Sequence, residues 1–192
     1  DNMEVPFRAR CFALISLGLL QDKSPETYEC LKRRIDGRES TPDVPVCAFL
    51  AMGLIGDPAP VPELIEWLDA GRVGQNKLGD LERSYIVGAL GKIGDPSSLK
   101  AIEGTLRKKG TFTRRSAMIA MGQILPQIDA DAQEKAVKKL AQFLKSESDT
   151  TAMNFGIISL GRIAGRENAP ESVRDLAVNI LMKQFKDGGK TT

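Results

Sequence analysis

The sequence predicts an all-α protein, a right-handed α-solenoid of about five antiparallel helical hairpins with no sheet. A short phrase returns five times along the 192 residues: a small residue, Leu or Met, Gly, a free position and an aliphatic residue. Its glycines are Gly18, Gly53, Gly91, Gly122 and Gly161. They lie 35, 38, 31 and 39 residues apart, the length of one helical hairpin in a stacked array. Apolar residues recur at helical spacing, and no stretch sustains the alternation of a strand.

We place the five units at about residues 5–37, 44–71, 81–110, 111–146 and 150–188. They form one predicted domain over residues 1–188, followed by a disordered tail at 189–192. In the first unit, Ser24 and Pro25 are typical of a helix start, and Gly37 is typical of a helix end. Each unit is therefore expected to hold two helices.

The second and third units share the corner Gly-Asp-Pro between their two helices, at Gly56-Asp57-Pro58 and Gly94-Asp95-Pro96. Glycine is favoured just after a helix, and Asp followed by Pro at the start of the next one. Gly71 is expected to end the second unit, and residues 72–82 to form a mobile loop that could touch a ligand. The second helices of units three to five show apolar faces at Leu99, Ile102 and Leu106; at Ala136, Val137, Leu140 and Leu144; and at Val173, Leu176, Ala177, Ile180 and Leu181.

Glycine inside the first helix of every unit needs a physical cause, because it costs about 1 kcal/mol relative to alanine in a helix interior. A small residue stands two positions before each of these glycines: Ser16, Ala51, Ala89, Ala120 and Ser159. We therefore expect a close helix contact at all five glycines. Gly91→Leu should overpack such a contact at a cost of about 1–3 kcal/mol, and Gly91→Ala should be far milder.

The segment Ala89-Leu90-Gly91-Lys92-Ile93-Gly94-Asp95-Pro96 resembles HEAT repeats, specifically the short, bacterial-type HEAT-like repeats of phycobilisome lyases. The resemblance covers nearly the whole chain. It departs from the family pattern where units one, four and five lack the Gly-Asp-Pro corner, and where Pro45-Val46 replaces the usual Val-Arg. The resemblance implies a binding scaffold, since most members are scaffolds and a minority are enzymes.

Residue content argues against catalysis, and we expect no enzyme, no cofactor and no metal site. The chain has no histidine, which excludes His-dependent nucleophiles and His-ligated metals. Cys11, Cys30 and Cys47 are too far apart for a CxxC motif and are expected to be buried free thiols. Free thiols favour a cytoplasmic location over export of a processed precursor, although the sequence leaves the compartment open.

The longest apolar run, residues 11–20, is too short to cross a bilayer, so no membrane span is expected. It follows two arginines, as in a secretory signal, but it is itself a copy of the repeated phrase. A helix this apolar would leave an exposed patch at the end of the array. We therefore expect that the chain belongs to a longer protein with upstream repeats or self-associates through this end.

Charge is uneven along the second helices although the whole chain carries only +2. Residues 58–70 carry −3, whereas residues 97–109 and residues 132–145 carry +3 each. We expect this basic surface to contact a partner, with Trp67 as either an aromatic anchor or a packing residue. The candidate partner-binding residues are Trp67, Lys100, Arg107, Lys108, Lys135, Lys138 and Gln142.

Three functions remain open. The first is a non-catalytic scaffold whose concave face, formed by the second helices, binds a protein or peptide with an acidic segment. The second is binding of nucleic-acid phosphates, as in HEAT-like DNA repair proteins, by Lys100, Arg107, Lys135 and Lys138. The balanced charge makes nucleic acid the weaker expectation. The third, a bilin lyase or its partner, is implied by the resemblance alone.

Overall fold

A computed structural model of the chain describes residues 6–37, 41–107 and 110–188. The prediction of a mostly helical protein is confirmed, because ten α-helices contain most of these residues. The predicted tail at 189–192 lies outside the described residues. The helices are α1 (Phe7–Leu20), α2 (Pro25–Asp36), α3 (Asp43–Ile55), α4 (Val61–Ala70), α5 (Asp80–Ile93), α6 (Leu99–Thr105), α7 (Thr111–Ile124), α8 (Ala130–Ser146), α9 (Thr150–Ala164) and α10 (Glu171–Gly188).

Most of the predicted helix ends are confirmed by their capping geometry. The Ser24 hydroxyl accepts a hydrogen bond from the Thr27 backbone N–H at 3.3 Å and caps α2. Gly56, Gly71 and Gly94 end α3, α4 and α5 with φ of 68°, 66° and 78°, the left-handed region that favours glycine. The start of α4 differs, because Asp57 instead closes a turn by accepting from the Ala59 N–H at 3.0 Å. The helix therefore begins only at Val61.

The expectation that the protein has no sheet is wrong. Strands β1 (Arg72–Val73) and β2 (Asn76–Lys77) pair antiparallel, with Arg72 opposite Lys77 and Val73 opposite Asn76. Two-residue strands are too short to show alternation in a sequence, and Gly74, at φ 52°, begins the turn between them. Val73 and Leu78 are buried, and the Asn76 side-chain amide donates to the Asp36 carbonyl at 3.1 Å. The stretch predicted as a loop is thus a hairpin that packs against the helices.

The helices contact one another in a regular order. The first helices of successive units pack together, α1 on α3, α3 on α5, α5 on α7 and α7 on α9. The second helices pack on these, with α2 on α3, α4 on α5, α6 on α7, and both α8 and α10 on α9. The buried side chains along this series form one core cluster, which runs from Leu14 in α1 to Val173 in α10.

The close contact predicted at the repeated glycines is confirmed at four of the five. A Cβ added at Gly18, Gly53, Gly91 or Gly122 would lie 2.8–3.0 Å from the Cα of Ala51, Ala89, Ala120 or Ser159, respectively. Each glycine therefore receives the small residue of the following unit. The prediction is wrong for Gly161, where an added Cβ would have no atom within 4 Å among the described residues.

The cysteines are less buried than expected, since Cys11, Cys30 and Cys47 are all partly accessible free thiols. Cys11 and Cys47 pack against the edge of the core cluster rather than inside it. None of the helices in the described ranges is both long and apolar enough to span a membrane.

Candidate partner-binding groove

Trp67, a candidate anchor in the sequence analysis, belongs to the core. Only 7% of its surface is exposed, and its ring packs edge-on against Phe49 with the ring centres 6.2 Å apart. The two rings join α4 to α3, an arrangement that stabilises aromatic pairs beyond their burial. We therefore remove Trp67 from the candidate surface, because a buried ring cannot contact a partner without unfolding its surroundings.

A basic site that includes two of the sequence candidates lies between α8 and α10, the second helices of units four and five. A groove of about 730 Å³ opens there, and we call it the basic groove. Lys138, Ala141, Gln142 and Lys145 line it from α8, and Leu176, Asn179, Ile180, Lys183 and Gln184 line it from α10. Two of the sequence candidates, Lys138 and Gln142, thus face the same cavity.

The basic groove joins an apolar floor to a positive rim. Ala141, Leu176 and Ile180 supply the apolar side chains. The lining includes three lysines, at 138, 145 and 183, and no carboxylate. Both helices pack on α9 and on each other, and they bury apolar residues such as Leu140 and Ala177. The three lysines remain exposed to solvent.

Lys138, on the rim of the groove, forms an ion pair within its own helix. Its ammonium lies 2.6 Å from Glu134 Oε1, one helical turn earlier on α8. This ion pair with Lys138 is the main reason that the pKa of the Glu134 carboxyl lies below its ordinary value. Lys138 is therefore partly neutralised, so Lys145 and Lys183 provide most of the positive field at the rim.

The other sequence candidates occupy neighbouring surface but not the groove itself. Arg107 stacks over the Phe143 ring, with its guanidinium carbon 5.6 Å from the ring centre. Lys135 and Lys100 are exposed on α8 and α6. Lys139 pairs with Glu103 of the preceding unit at 2.7 Å. Lys108 lies outside the described residues.

The acidic surface expected on α4 is partly neutralised by the first unit. Glu63 accepts a hydrogen bond from the Tyr28 hydroxyl and pairs with the Lys32 ammonium at 2.6 Å. Burial, followed by the hydrogen bond to Glu63, raises the pKa of Tyr28, so the phenol remains a hydrogen-bond donor at neutral pH. The charge of α4 therefore stabilises the contact between units as well as facing solvent.

A smaller cavity lies at the corner between the first two units. It holds about 250 Å³ and is lined mainly by apolar side chains, among them Tyr28, Leu31, Met52 and Ile55. Asp22 stands at its edge and accepts hydrogen bonds from the hydroxyls of Ser24 and Thr27. These internal partners satisfy the carboxylate, so the cavity presents mainly apolar surface to a ligand.

Sequence reasoning missed the half of the basic groove contributed by α10. Leu176 and Ile180 were assigned to the core from their spacing, yet both are only partly buried. Lys183 continues the same helical stripe, three residues beyond Ile180. The available signal was the face of α10 that changes from apolar residues to a lysine along its length. Lys145 on the facing helix α8 would have indicated the other side of the same groove.

The described residues contain no group of three or more His, Cys, Asp or Glu side chains arranged to hold a metal ion. Comparison with protein-family models gives no match. Comparison with curated proteins gives no significant match either. The function must therefore be inferred from the surface of the molecule.

Proposed function

We propose that this protein is a non-catalytic scaffold of the HEAT-like type, built as a right-handed solenoid of five helical hairpins. The repeated contact of each interior glycine with a small residue of the next unit supports this architecture. So does the series of first-helix contacts from α1 to α9. Repeats that contact only their neighbours create long surfaces suited to binding extended partners.

The proposed partner is a protein segment that forms an acidic amphipathic helix and binds in the basic groove. The observation that carries this proposal is the combination of three lysines with the apolar floor of Ala141, Leu176 and Ile180. Apolar side chains of a partner would lose contact with water on that floor, at about 25 cal/mol for each Å² buried. Its carboxylates would meet Lys145 and Lys183, which increases selectivity and the rate of association.

The proposal is tested by fluorescence anisotropy with a labelled synthetic helix that carries leucines on one face and glutamates beside them. We expect binding to the wild-type protein at low salt and a loss of at least tenfold in affinity for Lys145→Glu/Lys183→Glu. The matched control is Lys92→Glu, because Lys92 is an exposed lysine on α5 away from the groove. A peptide with lysine in place of glutamate should not bind.

Equal binding of the two peptides would contradict the proposal. Unchanged affinity in the double variant would also contradict it, provided that circular dichroism shows the variant folded.

Nucleic-acid binding is the second candidate, and the same lysine-rich rim favours it. A protein that binds nucleic-acid phosphates releases the counterions around them. The affinity of this protein for nucleic acid would therefore fall steeply with salt and depend little on base sequence. Titration with a labelled single strand and a labelled duplex at 20 and 200 mM salt distinguishes the two candidates. Tight binding of either nucleic acid with a steep salt slope would favour this second function, and flat curves would remove it. The bilin-lyase alternative rests on the family resemblance alone.

A further inference from the structure

Helices α1 and α3 run parallel and in a fixed register. A Cβ at Gly18 would lie 2.8 Å from the Ala51 Cα, and the Gln21 side-chain amide donates to the Leu54 carbonyl at 3.4 Å. Both contacts join residues that are 33 positions apart in the sequence. The same offset therefore describes the whole contact between the two helices.

Two cysteines lie on this contact. Cys11 is seven residues before Gly18, and Cys47 is four residues before Ala51. Residues separated by four and by seven positions share one face of a helix, so both thiols lie on the side where the two helices meet. The offset of 33 places the two cysteines three residues apart along the axis, a rise of about 4.5 Å.

The side chains bear out this placement. Cys11 and Cys47 are both partly buried and packed against the core cluster. Burial, and next a hydrogen bond to the Cys11 thiol, raises the pKa of Cys47 to about 12. Together with the register of the two helices, this places the two thiols close together at the contact between α1 and α3. A disulfide requires Cα atoms about 4.4–6.8 Å apart. The Gly18–Ala51 contact, one to two helical turns beyond the cysteines, holds the two backbones close to each other.

We propose that Cys11 and Cys47 form a reversible disulfide that links the first two units of the protein when a small-molecule disulfide such as oxidised glutathione is present. One cysteine thiolate attacks a glutathione sulfur and releases the first reduced glutathione. The second cysteine then attacks the mixed disulfide, forms the Cys11–Cys47 bond and releases the second reduced glutathione. The cysteine pair loses two electrons and two protons, and the oxidised glutathione gains them.

The bond would close a loop that contains all of α2. The residues between Cys11 and Cys47 include the connection between the first two units. Such a cross-link limits the freedom of the unfolded chain and holds α1 on α3. Cys30 is excluded from this pairing by register, because it lies on α2 and not on the α1–α3 contact.

The test uses the whole chain, incubated with oxidised glutathione at pH 8.5 and then alkylated under native and denaturing conditions. Intact mass spectrometry should show the loss of two hydrogens and a single alkylated cysteine. Proteolysis without reductant should release one linked peptide pair containing Cys11 and Cys47. The midpoint of thermal unfolding should rise by roughly 5–10 °C and return after reduction.

The variants separate the proposal from other thiol chemistry. Cys30→Ser should retain the two-hydrogen loss and the thermal shift, whereas Cys11→Ser and Cys47→Ser should lose both. Three alkylated cysteines after prolonged oxidation would overturn the proposal. A linked peptide containing Cys30, or glutathione retained on Cys11 or Cys47 as a stable adduct, would overturn it as well.

Discussion

At the scale of single residues, the glycines of the first helices have unequal roles. An added Cβ at Gly91 would lie 2.6 Å from the Ala120 Cβ and 2.8 Å from its Cα. Backbone atoms of a packed helix cannot move aside as a flexible side chain can. The sequence-based expectation that Gly91→Ala is mild therefore needs correction, because even one methyl group meets backbone.

The first prediction compares this position with Gly161, where an added Cβ would have no neighbour within 4 Å in the described part of the chain. Gly91→Ala should lower the free energy of unfolding by about 1–3 kcal/mol through overpacking. Gly161→Ala should raise it by up to about 1 kcal/mol, because alanine favours helix more than glycine does. Urea unfolding followed by circular dichroism measures both. Equal effects at the two positions would show that the helix contact does not distinguish them.

The repeated glycines were visible in the sequence because a costly residue recurred at one place in every unit. Their pairing was not visible. In units two to five, the small residue two positions before the glycine packs against the glycine of the preceding unit. Only the packing of the two helices defines this pairing. For the same reason the sequence did not distinguish Gly161 from the four interior glycines.

At the scale of helices, α7 begins at a contact supplied by another unit. Its N-cap residue, Gly110, has no side chain to bind the free N–H groups of the first turn. Asp80, at the start of α5, fills this role. It accepts hydrogen bonds from the Phe112 N–H at 2.9 Å, the Thr113 N–H at 3.2 Å and the Thr113 hydroxyl at 2.6 Å.

The second prediction follows from this contact. Asp80→Ala should lower the free energy of unfolding by about 1–2 kcal/mol, the usual cost of losing a helix cap. Asp80→Asn keeps one acceptor oxygen and should lose less. Urea unfolding at neutral pH measures both changes, and a larger loss for Asp80→Asn than for Asp80→Ala would contradict the capping role.

The third prediction concerns pH. Burial alone would raise the pKa of Asp80, but hydrogen bonds from Thr113 and Phe112 outweigh it and hold the pKa below the ordinary value. The ionised carboxylate therefore stabilises the folded protein above pH about 4 and loses this effect as the pH falls through the lowered pKa. The stability difference between wild type and Asp80→Ala should shrink below pH 4 in urea titrations. A difference that grows on acidification would have the wrong sign.

Helix ends were predictable where glycine adopts the left-handed conformation, as at Gly56, Gly71 and Gly94. The same local reasoning failed for α4, because Asp57 and Pro58 satisfy a separate turn before the helix begins. It also failed for the β-hairpin and for the cap of α7. The turn at Asp57 and the β-hairpin span too few residues to produce a periodic pattern. The cap of α7 joins residues that are too far apart in the sequence to produce one.

At the scale of the whole molecule, α1 exposes an apolar surface. Phe12, Leu19 and Leu20 are 69%, 68% and 74% exposed, whereas Leu14 is only 4% exposed. Large contiguous apolar surfaces mark contact sites or promote association. Among the described residues, this surface is therefore a candidate contact for the self-association that the sequence leads us to expect.

The fourth prediction tests that expectation by sedimentation velocity. The chain should form larger species as its concentration rises, and Phe12→Ser/Leu19→Lys/Leu20→Lys should return it to the mass of one chain with its unfolding free energy changed by no more than about 0.5 kcal/mol. Leu14→Ala is the matched contrast, since a buried leucine should cost about 2–5 kcal/mol and leave association unchanged. Persistent large species in the triple variant would place the contact elsewhere.

The candidate site was predictable in part. The charge of α8 and the helical positions opposite its apolar face identified Lys138 and Gln142, which line the basic groove. They missed Lys183 on the opposite wall, because charge counts alone do not show that it continues the stripe of Leu176 and Ile180 along one face of α10. The sequence also did not show that Glu134 forms an ion pair with Lys138, or that Trp67 is buried in the core.

The four interior glycines also fix the distance between successive first helices. Since a hydrogen atom at each one sets how near two successive first helices approach, a methyl group at one position would push those two backbones apart and leave the other three contacts in place. The spacing between successive first helices is therefore set separately at each of the four junctions, by residues that belong to no binding site.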